Sequence, residues 1–156
     1  MGSRLFEDLD YQLWVLIQQT RDVITKVRER EMAKHGLTFI QSAVIFVINS
    51  NGGQATSANI SDWLLREQHT VSSTLSRMTR DGLVYKVKNR ARHGELTVGL
   101  TEKGKEALKN IENIETIKGL LSVIPEEDRQ RLFSQLKSVR DKALTYLSLE
   151  KTAPYP

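Results

Sequence analysis

Six segments whose apolar residues recur every three or four positions, and one pair of segments in which apolar and polar residues alternate, predict a mainly α chain with a small β-hairpin. The order of these segments narrows the fold further. Two short helices joined by a tight turn come just before the hairpin, and long helices stand at both ends. That order predicts a winged helix-turn-helix of six helices, with the hairpin as its wing and the N- and C-terminal helices forming a dimerisation region.

In the first long segment Leu9, Leu13, Leu16, Ile17, Ile24 and Val27 share a helical face, with Thr20 filling the gap, over about residues 7–34. His35-Gly36 ends it, because glycine takes the left-handed conformation needed just past a helix. Thr38 is placed to cap a second helix whose face reads Ile40, Ala43, Val44, Val47 and Ile48. Asn49-Ser50-Asn51-Gly52-Gly53 breaks the chain.

A third helix over about residues 56–66 turns Ile60 and Leu64 inward. After a turn at Glu67-Gln68, a fourth carries Val71, Leu75 and Met78 on one side until Asp81-Gly82 stops it. The period then drops to two. Val84 to Lys88 and Leu96 to Leu100 read as strands joined by the turn formers Asn89 to Gly94.

Thr101 is placed to cap a fifth helix showing Leu108, Ile111, Ile114 and Ile117. Pro125 suits the first turn of a sixth, with Glu126, Glu127 and Asp128 at the positive end of its dipole. That helix is expected to run to about residue 149, with Leu132, Leu136, Val139, Ala143 and Leu147 along one side. The resulting division is residues 1–37 for an N-terminal dimerisation helix, 38–101 for the winged helix-turn-helix, 102–150 for C-terminal dimerisation helices, and 151–156 for a disordered tail.

The chain has 156 residues, enough for about one domain, and no cysteine, which excludes disulfides and thiolate chemistry. No run of about 18 apolar residues is present, so no membrane span is expected. Glu7, Asp8 and Asp10 near the start do not fit a signal peptide, so a cytoplasmic location is expected.

The net charge is +4, and it is not spread evenly. Residues 1–55 are electrically balanced, and residues 102–156 nearly so. Between Arg66 and Arg92 there are seven basic side chains and two acidic ones, Glu67 and Asp81. A polyanionic partner is expected to meet that quarter of the chain.

The fourth helix suits double-stranded DNA. Once Val71, Leu75 and Met78 are buried, His69, Thr70, Ser72, Ser73, Ser76, Arg77 and Arg80 surround its exposed side. Small hydroxyl residues let a helix sit deep in a major groove about 12 Å wide. Guanidinium forks at Arg77 and Arg80 suit phosphate oxygens. Lys86 and Lys88 share one face of the first wing strand, toward the backbone, and Arg90 and Arg92 sit where a short loop can reach the minor groove.

The run Leu37-Thr38…Gln41, Ile60…Leu64, Thr70-Val71-Ser72, Leu75, Arg77-Met78, Asp81-Gly82-Leu83-Val84 and Val98-Gly99-Leu100-Thr101-Glu102-Lys103-Gly104 resembles the MarR (multiple antibiotic resistance regulator) family. The resemblance covers roughly residues 9–149. It implies a homodimeric transcription regulator, commonly a repressor, on a pseudo-palindromic operator, released by a small, often phenolic or anionic, effector. It also implies that Arg77 contacts the DNA backbone and that a wing arginine enters the minor groove. The sequence departs from the family pattern at Arg92-His93-Gly94, where an Asp-Arg-Arg-like run is usual, so either Arg90 or Arg92 does the reading. Ser73 stands where a basic residue is common.

Apolar stripes on the first and last helices exceed what the helix-turn-helix can cover, and pairing with a second copy would cover them. A twofold dimer would set two recognition helices about 34–36 Å apart. Tyr11, Trp14, His35 and Phe39 are expected near the junction of the first two helices, where core or interface filling is their commonest role, and no ligand site is assigned to them. His35, His69 and His93 stand far apart, and there is no HExxH, phosphate-cradling glycine loop or GxSxG, so no enzyme, metal or cofactor is expected. A winged-helix module binding an acidic protein without sequence-specific DNA recognition is the alternative reading.

Overall fold

The computed structural model describes residues 4–89 and 95–147. After a single 3-10 turn (Arg4–Glu7), α1 runs over Leu9–Ala33 and α2 over Phe39–Ser50. Then come β1 (Gln54–Thr56), α3 (Ser57–Leu64), α4 (Gln68–Arg80), β2 (Val84–Asn89) and β3 (Glu95–Leu100). The C-terminal part holds α5 (Glu102–Glu112), α6 (Glu115–Leu121) and α7 (Glu126–Tyr146).

Local chemistry sets the element ends. Asp8 caps α1 by accepting from the Tyr11 N–H at 2.9 Å. Gly36, at φ +70°, turns the chain toward α2. Thr38 and Gln41 then form a reciprocal box, the Thr38 hydroxyl accepting from Gln41 N–H and the Gln41 amide oxygen accepting from Thr38 N–H. Thr56 and Asn59 repeat the device at the start of α3.

The core lies where α2, α3, α4 and the sheet meet. Ile45, Ile48, Ile60, Val71, Met78 and Val84 are fully enclosed there, and Met32 from α1 and Ile111 from α5 close it on the far side. On α2 the buried face takes Val44, Val47 and Ile48 as expected and adds Ile45. Ile40 and Ala43 are only half-buried.

Two expectations need correction. The wing belongs to a three-stranded antiparallel sheet in the order β1-β3-β2 rather than to a lone hairpin. Gln54 opposes Gly99 and Thr56 opposes Thr97, which gives the hairpin a short third edge inside the body of the domain. The fifth helical segment, expected to be continuous through Ile117, is divided at Asn113–Ile114 into α5 and α6. Ile114 is consequently exposed.

The apolar stripes on the outer helices are open on the single chain. Leu9, Leu13 and Leu16 of α1 and Leu132, Leu136 and Val139 of α7 are all exposed. Leu144 is the buried side chain of α7 among the described residues. Among those residues no helix is long and apolar enough to cross a membrane. The expected tail at 151–156 lies outside the described residues.

Candidate nucleic-acid interface

The helix-turn-helix is closed by an unusual residue. Leu65, at φ +50° and ψ 45°, takes the left-handed position that usually falls to glycine, and this lets Arg66 N–H return to the Ser61 carbonyl at 3.1 Å. α4 therefore starts only four residues after α3 ends. A 3.3 Å hydrogen bond between the Ser57 and Ser72 hydroxyls ties the two helices on their outer side.

On α4, Val71, Thr74, Leu75 and Met78 are buried, while His69, Thr70, Ser72, Ser73, Ser76, Arg77 and Arg80 are exposed. At 3.6 residues per turn the exposed set forms one arc of roughly 160° opposite the buried one. Arg80 falls in line with His69, Ser73 and Ser76, and Arg77 falls beside Thr70 at the edge of the arc. Ser76 donates its hydroxyl to the Ser72 carbonyl at 3.0 Å, and Thr79 to Leu75 at 2.8 Å. These groups present acceptor lone pairs outward. The Thr70 and Ser73 hydroxyls have no such partner among the described residues, so each can donate as well as accept.

The far end of α4 is held by several ties. The Asp81 carboxylate accepts from Gln41 Nε2 at 3.2 Å, and its carbonyl accepts from Lys103 Nζ at 2.8 Å. Gly82, at φ +70°, reverses the chain into β2. The Thr101 hydroxyl donates to the Gly82 carbonyl and accepts from Gly104 N–H at 3.1 Å, so it caps α5 and binds the strand start together. A Cβ on Gly104 would run into the Leu83 carbonyl oxygen. These contacts are the physical content of the Asp81-Gly82-Leu83-Val84 and Leu100-Thr101-Glu102-Lys103-Gly104 segments.

In the wing, Val84, Lys86 and Lys88 share a face of β2, with Lys86 opposite Val98 and Lys88 opposite Leu96. Val84 is enclosed in the core, while both lysines are exposed. Arg90, Arg92 and His93 lie outside the described residues.

Part of the positive charge is paired along the helices that follow the sheet. Lys105, Lys109 and Lys118 pair with Glu102, Glu106 and Glu115 one helical turn away, at 2.7–2.8 Å. Hydrogen bonding, then charge, holds the Glu102 carboxyl below its ordinary pKa and the Lys105 and Lys109 ammonium groups above theirs. In contrast, Arg66, Arg77, Arg80, Lys86 and Lys88 have no carboxylate partner among the described residues. Among the described residues, the positive charge of α4 and of the wing lysines is not held in ion pairs.

Residues 37–104 match the winged helix DNA-binding domain family. The whole chain superposes on the ligand-free organohalide-sensing RdhR transcriptional regulator with a TM-score of 0.84, at 27% identity, covering 100% of this chain and 94% of that one. A MarR/EmrR family transcriptional regulator from Acinetobacter gives a TM-score of 0.78 at 22% identity, over 87% and 97% of the two chains. Residues 37–104 are thus a winged helix DNA-binding domain, and the whole chain has the fold of these regulators. MepR of S. aureus, solved in complex with DNA, shares the fold at a TM-score of 0.76 and 20% identity, over 87% of this chain and 96% of its own. No curated protein sequence matches the chain.

The four residues expected near the α1–α2 junction are not brought together. Tyr11 and Trp14 stack at 5.6 Å near the start of α1, with Phe6 edge-on to Tyr11 at 6.2 Å. His35 follows the far end of that helix, roughly 35 Å away at 1.5 Å per residue. It borders instead a polar cleft of about 370 Å³ with Gln41, Asp81, Lys103 and Glu106. The helix is simply longer than a junction site allows.

Sequence reasoning also missed a buried charge. Arg28 is 8% exposed, pairs with Glu31, and donates to the Ile111 and Asn113 carbonyls at 3.4 and 3.5 Å. The Glu31 carboxylate in turn accepts from the Thr116 hydroxyl at 2.9 Å. The only signal in the sequence is an arginine three residues before a glutamate in a strongly charged run, a pattern that exposed helices share.

Proposed function

We propose that the chain is a homodimeric, sequence-specific transcriptional regulator that binds double-stranded DNA as a repressor and is released by a small-molecule effector or another signal. The observation that carries this reading is the set of unpaired cations at α4 and the wing, beside a hydroxyl-rich helix face whose buried side is fixed by the core.

In this reading His69, Thr70, Ser72, Ser73 and Ser76 meet base edges or phosphates in the major groove. Arg77 and Arg80 grip phosphates, Lys86 and Lys88 meet the backbone from the wing, and Arg90 or Arg92 enters the minor groove. Residues 38–101 form the reading unit. The regions 1–37 and 102–150 pair two copies through the open stripes of α1 and α7, which gives a pseudo-palindromic operator. Support for DNA as partner comes from MepR, which is solved with DNA. Support for an effector comes from the RdhR regulator, which is also solved in a 2,4-dichlorophenol-bound form.

The test is a gel shift with the region upstream of the chain's own gene, at physiological salt and with random competitor DNA. A discrete shift that outlasts the competitor is expected. Failure of that shift, together with capture of an acidic protein partner, would favour the interaction-module alternative.

A further inference from the structure

Gln41 uses the two ends of its side-chain amide on different elements. Its Oε1 accepts from the Thr38 N–H at 2.8 Å and so completes the cap of α2. With that oxygen pinned, Nε2 faces the end of α4 and donates to the Asp81 carboxylate at 3.2 Å. The third position of such a cap takes glutamate or glutamine. Glutamate would fill the cap but repel Asp81, so the donor end is what glutamine adds here.

Asp81 is one of the two acids in the basic quarter of the chain, and it stands four residues after Arg77. Its backbone, at φ −76° and ψ −4°, still follows the helix, so the two side chains have the i, i+4 spacing that favours an ion pair. Both border a recess of about 200 Å³ between α2 and α4, together with Gln41. Yet no ion pair joins them among the described residues. Lys103, the other cation beside Asp81, is turned to its carbonyl rather than its carboxylate. Among the described residues, that carboxylate has Gln41 as its hydrogen-bond partner.

We propose that Gln41 is a positioning residue for DNA binding: it holds the Asp81 carboxylate off the Arg77 guanidinium and leaves that fork open to phosphate. Without the tie, Asp81 turns toward Arg77 and competes with DNA for it. An exposed pair of this kind is weak, so the tie tunes affinity rather than creating it. The effect on DNA rests on the DNA-binding reading above; the exchange of partners by Asp81 does not.

A double-mutant cycle on the full chain tests this, read by fluorescence anisotropy with the upstream DNA at low salt. Gln41→Met removes the tie but leaves the Thr38 hydroxyl bonded to the main-chain N–H at position 41, so α2 keeps half of its cap. It is expected to weaken binding about fivefold per dimer. Adding Asp81→Asn should restore that loss, although the Thr38 N–H stays unpaired. In the wild-type background Asp81→Asn should gain no more than about twofold, from the removed charge. Equal gains in both backgrounds would overturn the proposal, since Gln41 would then act through the cap or on DNA itself. The exchange of partners is also read without DNA, from the Arg77 Nε–H signal in heteronuclear NMR spectra. That signal should respond to Asp81→Asn in the Gln41→Met protein and not in the wild type. No such response would overturn the proposal even where DNA is bound. A response in a protein unable to shift DNA would support the tie and count against the DNA-binding reading alone.

Discussion

The Arg28 guanidinium and the Glu31 carboxylate of α1 pair on the flank of the helix that meets the α5–α6 joint. Arg28 satisfies two carbonyls left open where α5 ends, and Glu31 holds Thr116 at the start of α6. The pair thus ties α1 to the joint between α5 and α6, and its side chains are only 10% and 19% exposed.

Removing one partner should be costly. Arg28→Ala is expected to destabilise the fold by about 2–3 kcal/mol, somewhat less than the loss of a fully buried pair. Replacing both Arg28 and Glu31 by methionine should recover more than half of that loss. Urea denaturation of the three proteins at one fixed concentration checks this, and equal midpoints for wild type and Arg28→Ala would contradict it.

Two glycines should respond differently to alanine. At Gly104 the added methyl group meets the Leu83 main chain, which the neighbouring sheet prevents from moving. A loss of about 2–3 kcal/mol is expected. At Gly99 it meets the ring of Tyr85, the far end of an exposed side chain that can swing aside. The cost there should stay under about 1 kcal/mol. Thermal unfolding of the two variants should rank them in that order.

Much of this architecture was legible in the chain because the relevant signals are local. Thr38, Thr101, Gly36 and Gly82 act within a turn of their own position, and the burial of Val71, Leu75 and Met78 follows from helical spacing. The failures have the opposite character. β1 is three residues long, too short to show a period, and it forms only because β3 lies beside it. The break at Asn113–Ile114 is invisible to spacing, since Ile111, Ile114 and Ile117 continue a helical interval straight across it. Arg28 reads as solvated until the α5–α6 joint is seen against it. At the candidate site, the exposure of the seven α4 residues named above was readable, but that Arg77, Arg80, Lys86 and Lys88 form no ion pair among the described residues is a property of the folded surface.

The Thr101 hydroxyl performs two tasks, so its loss should exceed that of an ordinary cap. Thr101→Ala is expected to cost about 2 kcal/mol, at the upper end for N-cap residues, while Thr101→Ser should retain most of the stability. Chemical denaturation of both variants provides the comparison. Equal losses would show that the methyl group, not the hydroxyl, matters.

Open stripes on α1 and α7 predict association. A chain carrying Leu13→Glu and Leu136→Glu should sediment as a folded monomer, whereas the parent should sediment as a dimer. Monomeric parent protein at micromolar concentration would contradict the pairing.

Individual cations should separate by role. Arg77→Ala is expected to weaken cognate and random DNA alike and to lower the salt slope by about one. If a wing arginine reads the minor groove as proposed, replacement of Arg90 or Arg92 should cost more on the cognate site than on random DNA. Fluorescence anisotropy with the two duplexes resolves these outcomes, and a cognate-selective loss in Arg77→Ala would reassign it to base reading.

The most direct measurement is the affinity of the protein for its upstream DNA as a function of salt. With some 6–10 phosphates neutralised per dimer, affinity should fall by about 10³–10⁵ between 50 and 200 mM salt. A flat response would mean that the unpaired cations of α4 and the wing do not meet a polyanion.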